Sequence, residues 1–144
     1  MNQVEATKLL ALIKVAYPTS YRDLDEKTRE ATINMWHLTF ESVPYGIMEI
    51  AFEHFRRVSK FPPTIAEMRE ELKSIYYKAY EDYIQCNNRS KFLGDKDNSD
   101  RKAKAKYIMD CTQQFERVEI NINYSNITNK QIEAYYGQHK MLGG

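Results

Sequence analysis

The sequence predicts an all-α protein, and three observations carry that reading. Turn-making residues are scarce, with 5 glycines and 4 prolines in 144 residues. Apolar residues recur at three- and four-residue spacing. Side chains able to cap a helix start stand ahead of those runs, as in Asn2 with Glu5, Thr64 with Glu67 and Thr128 with Gln131. The expected arrangement is a compact N-terminal four-helix domain over residues 1–86, a flexible linker over 87–99, and a C-terminal helical segment over 100–144.

The first helix is predicted from about Asn2 to Tyr17, with Leu9, Ile13 and Ala16 or Tyr17 as its apolar stripe. Pro18 ends it, because the residue before a proline avoids helical angles. Asp23 with Glu26 reads as the start of a second helix, which would carry Thr32, Met35, Trp36, Thr39 and Phe40 on one face. Ser42-Val43-Pro44 opens a third, since proline is tolerated in a first turn. Ile47, Ile50, Ala51, His54, Phe55 and Val58 recur there at helical spacing, with His54 on the apolar stripe.

Phe61-Pro62-Pro63 then stops the chain, and Thr64 with Glu67 restarts it as a T-x-x-E capping box. Pro63 and Met68 hold the positions of a hydrophobic staple. The fourth helix carries Ile65, Met68, Leu72, Ile75, Ala79 and Tyr83 on one face. Polar composition from Asn87 to Asp100 predicts the linker. A fifth helix is expected from Asp100 to about Arg117, and a short strand over Val118–Tyr124 from its alternation. A terminal helix would contain Ile132, Tyr135 and Tyr136.

Composition narrows the function classes. Charge is balanced, 21 basic against 20 acidic residues for a net +1, which disfavours a general nucleic-acid binder. The longest strongly apolar run, Leu9 to Ile13, falls far short of a membrane span. The N-terminus lacks a signal-peptide pattern, and the 2 cysteines, Cys86 and Cys111, lie far apart. These features predict a reduced, cytoplasmic protein with no membrane contact.

No catalytic constellation is present. There is no G-x-x-x-x-G-K-[ST] loop to cradle a nucleotide phosphate. The 3 histidines, His37, His54 and His139, make no i, i+3 or i+4 pair, and neither cysteine lies in C-x-x-C. Carboxylate pairs such as Glu70-Glu71 fit solvated helix faces. No cofactor, metal or enzymatic activity is expected.

Two features could meet a partner. Tyr76, Tyr77, Tyr80 and Tyr83 suit helix packing, a protein interface or base stacking. Arg101-Lys-Ala-Lys-Ala-Lys-Tyr107 forms a basic band, a phosphate contact or simply a solvated face. Beyond the linker, the side chains expected to bind a partner are Lys102, Lys104, Lys106, Tyr107, Phe115, Ile132, Tyr135 and Tyr136.

One ordered series of residues goes further. Tyr17-Pro18, Trp36 with Leu38, Tyr45, Ala51, His54, and Lys60-Phe61-Pro62-Pro63-Thr64-Ile65-Ala66-Glu67-Met68-Arg69 together resemble the N-terminal domain of the Bacillus-phage replicative-helicase loader and inhibitor family. The resemblance spans residues 5–75. Within it Tyr17, Pro18, Trp36, His54, Phe61, Pro62, Pro63, Thr64 and Glu67 act as a structural signature. It implies a non-catalytic replication protein that binds the hexameric replicative DNA helicase, restrains it, and helps an origin-bound initiator load it. It also implies that the C-terminal segment, here 100–144, contacts the helicase. Two alternatives stand beside it: an inhibitor of the host's own helicase loader, and a small DNA-binding regulator.

Overall fold

The structure, a computed structural model, describes residues 1–20, 24–89, 96–116 and 122–142. Among these it contains six α-helices, two short 3-10 turns and no strand. Helix α1 spans Gln3–Ala16 and starts with a capping box. The Glu5 amide donates to Asn2 Oδ1 at 2.8 Å, and the Asn2 amide donates to Glu5 Oε1 at 3.1 Å. Its buried stripe is Ala6, Leu9, Leu10 and Ile13. Tyr17 closes the helix, and its hydroxyl donates to the Ser59 carbonyl at 2.9 Å. That bond ties the end of the first helix to the end of the third.

Helix α2 spans Glu26–Thr39 and is capped by Asp25, which accepts from the Thr28 amide at 2.7 Å. The cap is therefore Asp25 rather than the expected Asp23, which lies outside the described residues. Two aspartates precede the helix, and the one three residues before Thr28 reaches its amide. Trp36 and Phe40 point into the core with ring centroids 5.6 Å apart. Met35 does not join them: it is exposed, and Ile33 packs inward instead.

Helix α3, Tyr45–Val58, follows Pro44 and buries Ile47, Met48, Ala51, Phe52 and Phe55. The expected Ile50, His54 and Val58 face solvent, so the buried face is turned toward Met48 and Phe52. The spine 47, 51, 55 is common to both choices, and periodicity does not say which flank is covered. Neighbouring helices decide it. His54, expected on the apolar face, has a 65% exposed side chain and meets Glu71 Oε2 through Nδ1 at 2.6 Å.

The corner after α3 is built as its sequence indicates. The Ser59 hydroxyl donates to the Phe61 carbonyl at 3.0 Å, and Pro63 is buried. The Thr64 amide donates to Glu67 Oε1 and the Glu67 amide to Thr64 Oγ1, both at 3.1 Å. Helix α4 then runs through 25 residues, Ile65–Arg89, a length of about 37 Å at 1.5 Å per residue. Met68, Leu72, Ala79 and Cys86 form its buried line. The first four helices make the N-terminal unit, with a single core that gathers Leu9, Ile13, Phe40, Val43, Met48, Met68 and Leu72.

Helix α5 spans Lys96–Thr112 and runs back along α4. Asn98 Nδ2 donates to the Cys86 carbonyl at 2.9 Å, and Arg101 meets Asp82 at 3.0 Å. The 3-10 turn Gln113–Phe115 continues it to the core. Helix thus occupies both ends of the expected 87–99 linker, and α5 starts before Asp100. The expected strand over 118–124 falls largely outside the described residues. Its described end is not strand: a 3-10 turn, Tyr124–Asn126, begins there, and an isolated strand has no partner for its backbone groups. Helix α6, Asn129–Leu142, begins at a Thr128–Gln131 capping box.

Two outcomes follow for the fold. Phe40 is fully buried, so Phe40→Ala is expected to cost about 3–5 kcal/mol in urea unfolding followed by Trp36 fluorescence. Asp25 is held below the usual carboxylate range by hydrogen bonds from Thr28, its side chain first and its amide second. A folded-state value below the unfolded one contributes stability above the unfolded pKa, lost as pH falls through the folded value. Asp25→Asn should therefore reduce the loss of thermal stability on acidification below about pH 4.

Candidate partner-binding surface

The basic band expected from Arg101 to Lys106 is shaped by the helix it lies on. Ala105 is buried, so α5 turns that side toward α4. Arg101 pairs with Asp82, which also receives Lys78 at 3.3 Å. The Lys102 ammonium stands 5.4 Å from the Tyr83 ring centroid, a cation–π contact. Lys104 pairs with Asp100 at 3.0 Å along the helix. Lys106 and Tyr107 are exposed. Three of the four cations are thus occupied by local carboxylates or a ring, which makes the band a poor cradle for phosphate. Exposed pairs of this kind contribute at most about 1 kcal/mol each.

Phe115 is placed differently. It is half-buried, with its ring centroid 6.0 Å from that of Phe40, and Gln114 Nε2 bonds the Ser42 hydroxyl. The apolar stripe of α5 therefore has a cover. Ile108 and Cys111 pack against the same core, and Thr112 is buried with its hydroxyl donating to the Ile108 carbonyl at 2.7 Å.

The tyrosines of α4 divide between two faces. Tyr76 stacks on Tyr80 at 6.4 Å and meets the edge of Tyr77 at 5.5 Å. Tyr77, Tyr80 and Ile84 remain exposed, while Tyr83 lies half-buried under Lys102. Packing and exposure thus both occur within one series.

The region from Ile122 to Gln138 is exposed throughout. Ile132, Tyr135 and Tyr136 share α6, with the two tyrosine rings edge to face at 5.4 Å. Ile122, Tyr124 and Ile127 add three more exposed large apolar residues. Ile122 and Tyr124 were missed as interaction residues because I-N-I-N-Y reads as strand alternation, and Ile127 follows that stretch without a periodic pattern of its own. The signal that could have found them is the lack of any second strand in the sequence. A 14-residue helix is marginal on its own in water, and its apolar side chains gain from a covering surface.

Several of the signature residues hold structural positions, while His54 faces solvent. Tyr17 and the Ser59–Thr64 corner are joined by the Tyr17 hydroxyl, Trp36 is core, and Thr64 with Glu67 starts α4. Phe61 departs from that role, being 76% exposed at the corner. Residues 1–69 match the family model G39P_N, the N-terminal domain of a Bacillus phage helicase loader and inhibitor. Over these residues the chain is similar to that domain. The motif order read from the sequence and the family match therefore agree. The match ends inside α4, so the rest of α4, α5 and α6 lie beyond the G39P_N domain. No curated protein and no solved structure matches the chain.

Among the described residues no cluster of three His, Cys, Asp or Glu side chains is arranged to hold a metal ion. No helix there is long and apolar enough to cross a membrane. The family's theme is phage DNA replication through helicase binding. Because three of the four cations of the basic band are occupied within the fold, reversing Lys102, Lys104 and Lys106 to Glu should leave retention on a duplex-DNA column unchanged at low salt. Strong retention that weakens steeply with salt and disappears in the variant would identify the band as a phosphate-binding site.

Proposed function

We propose that this protein binds the hexameric replicative DNA helicase, restrains its activity and helps load it at an origin, without catalysis of its own. The observation that carries the reading is the loader-family domain over residues 1–69. The chain contains no P-loop, so a loader of this kind works by binding energy alone. A ligand shifts a conformational equilibrium only by its differential affinity for the two states. On this reading the protein prefers a ring state that cannot unwind DNA, and an origin-bound initiator competes for release. The setting would be the cytoplasm of a bacterial host.

Residues 1–86 would supply the scaffold and the segment within 100–144 the helicase contact. Exposed Ile132, Tyr135 and Tyr136 support the second half of that division, because aromatic and aliphatic anchors dominate protein interfaces. Copurification with the host and phage replicative helicases is the direct test. A complex at micromolar concentration, with helicase ATPase lowered, is the expected result. Failure of both folded helicases to bind would sink the proposal. Ile132→Asp with Tyr136→Asp is expected to weaken the complex by at least about tenfold, roughly 1.4 kcal/mol. The melting temperature should not move, since neither side chain is part of the buried core.

A further inference from the structure

We infer that α5 and the 3-10 turn after it form a strap that completes the N-terminal core, and that the partner-facing arm begins only beyond this strap. The strap spans Lys96–Phe115 and lies wholly outside the residues matched to the loader family. Its inner face is consistent along its length. Ala105 and Thr112 are buried, and Ile108, Cys111 and Phe115 pack partly buried against the core.

Polar ties reinforce that face at both ends. Near its start Asn98 bonds the Cys86 carbonyl and Arg101 meets Asp82. At its far end Gln114 bonds Ser42 and Phe115 stands against Phe40. Phe40 belongs to the family domain, so the strap bridges from the α4 extension back to α2. Removing it would uncover one side of a fully buried phenylalanine and part of the buried line of α4. A half-buried apolar stripe and a buried hydroxyl are costly to return to water.

The consequence bears on where a partner can bind. Lys102 and Phe115, two of the side chains expected to meet a partner, are engaged within the fold, by Tyr83 and Phe40. The exposed apolar residues Ile122, Tyr124, Ile127, Ile132, Tyr135 and Tyr136 all come after the strap. The strap also fixes where the arm departs, beside Ser42 at the junction of α2 and α3. This last step rests on the helicase-binding reading; the docking of the strap does not.

Hydrogen exchange on the full chain tests the docking. Amides of residues 105–112 should exchange at least about 100-fold more slowly than those of 132–138, because a docked element opens only with the core beneath it. Equal rates for the two segments would overturn the strap. Phe115→Ala should raise acrylamide quenching of Trp36, the only tryptophan, and Phe115→Leu should leave it near the unsubstituted level. Unchanged quenching and melting in Phe115→Ala would also overturn it. If Phe115→Ala fails to fold, the exchange measurement on the unaltered chain still decides. In the helicase complex, residues 105–112 should keep their protection while 122–142 gain it. Loss of strap protection there would mean that the strap undocks on binding, and would overturn its separation from the partner-facing arm. Absence of any complex would remove the helicase reading and leave the free-chain result standing.

Discussion

The fold depends on the burial of Phe40 where α2 ends. This ring is fully buried, touches Trp36 on its own helix, and receives Phe115 from the far end of the strap. It is the point at which the residues matched to the loader-family model and the chain beyond them share one apolar interior. An interior packed to crystal-like density does not tolerate a missing side. The same burial that stabilises the four-helix unit therefore holds α5 in place.

Helix α4 makes that arrangement possible. Its first turns belong to the family domain, while its 25 residues carry it well past the other N-terminal helices. A helix of that length with buried Met68, Leu72, Ala79 and Cys86 needs two different covers along one face. The family core covers Met68 and Leu72, and α5 supplies the second cover further along. Asp82 contributes on the polar side, receiving both Lys78 and Arg101. Beyond the strap, the turn before α6 and α6 itself leave Ile122, Tyr124, Ile127, Ile132, Tyr135 and Tyr136 in solvent.

Much of the fold was legible because local chemistry decides it. The boxes at Asn2–Glu5, Thr64–Glu67 and Thr128–Gln131 form as their spacing indicates, since each satisfies backbone amides that the first helical turn leaves unpaired. Pro18 and the Phe61-Pro62-Pro63 corner end helices for steric reasons that need no neighbour. Facing was less legible. Met35, Ile50, His54 and Val58 sit at helical spacing with core residues yet face water, because a stripe wider than the contact leaves its flanks to the packing. Among the candidate side chains, Ile132, Tyr135 and Tyr136 are exposed as a binding role requires, whereas Lys102 and Phe115 have partners inside the molecule.

The sequence by itself determined the helical class, the capping boxes and proline stops, the absence of a nucleotide-binding loop, and the likeness of residues 1–69 to the loader-family domain. Those properties follow from backbone capping, proline sterics and motif order, all local along the chain. Only the tertiary structure decided which flank of α3 is buried, that His54 meets Glu71 at the surface, and that α5 lies against α4 and Phe40. Those outcomes depend on side chains far apart in sequence competing to cover the same apolar surface, which periodicity along one helix does not encode.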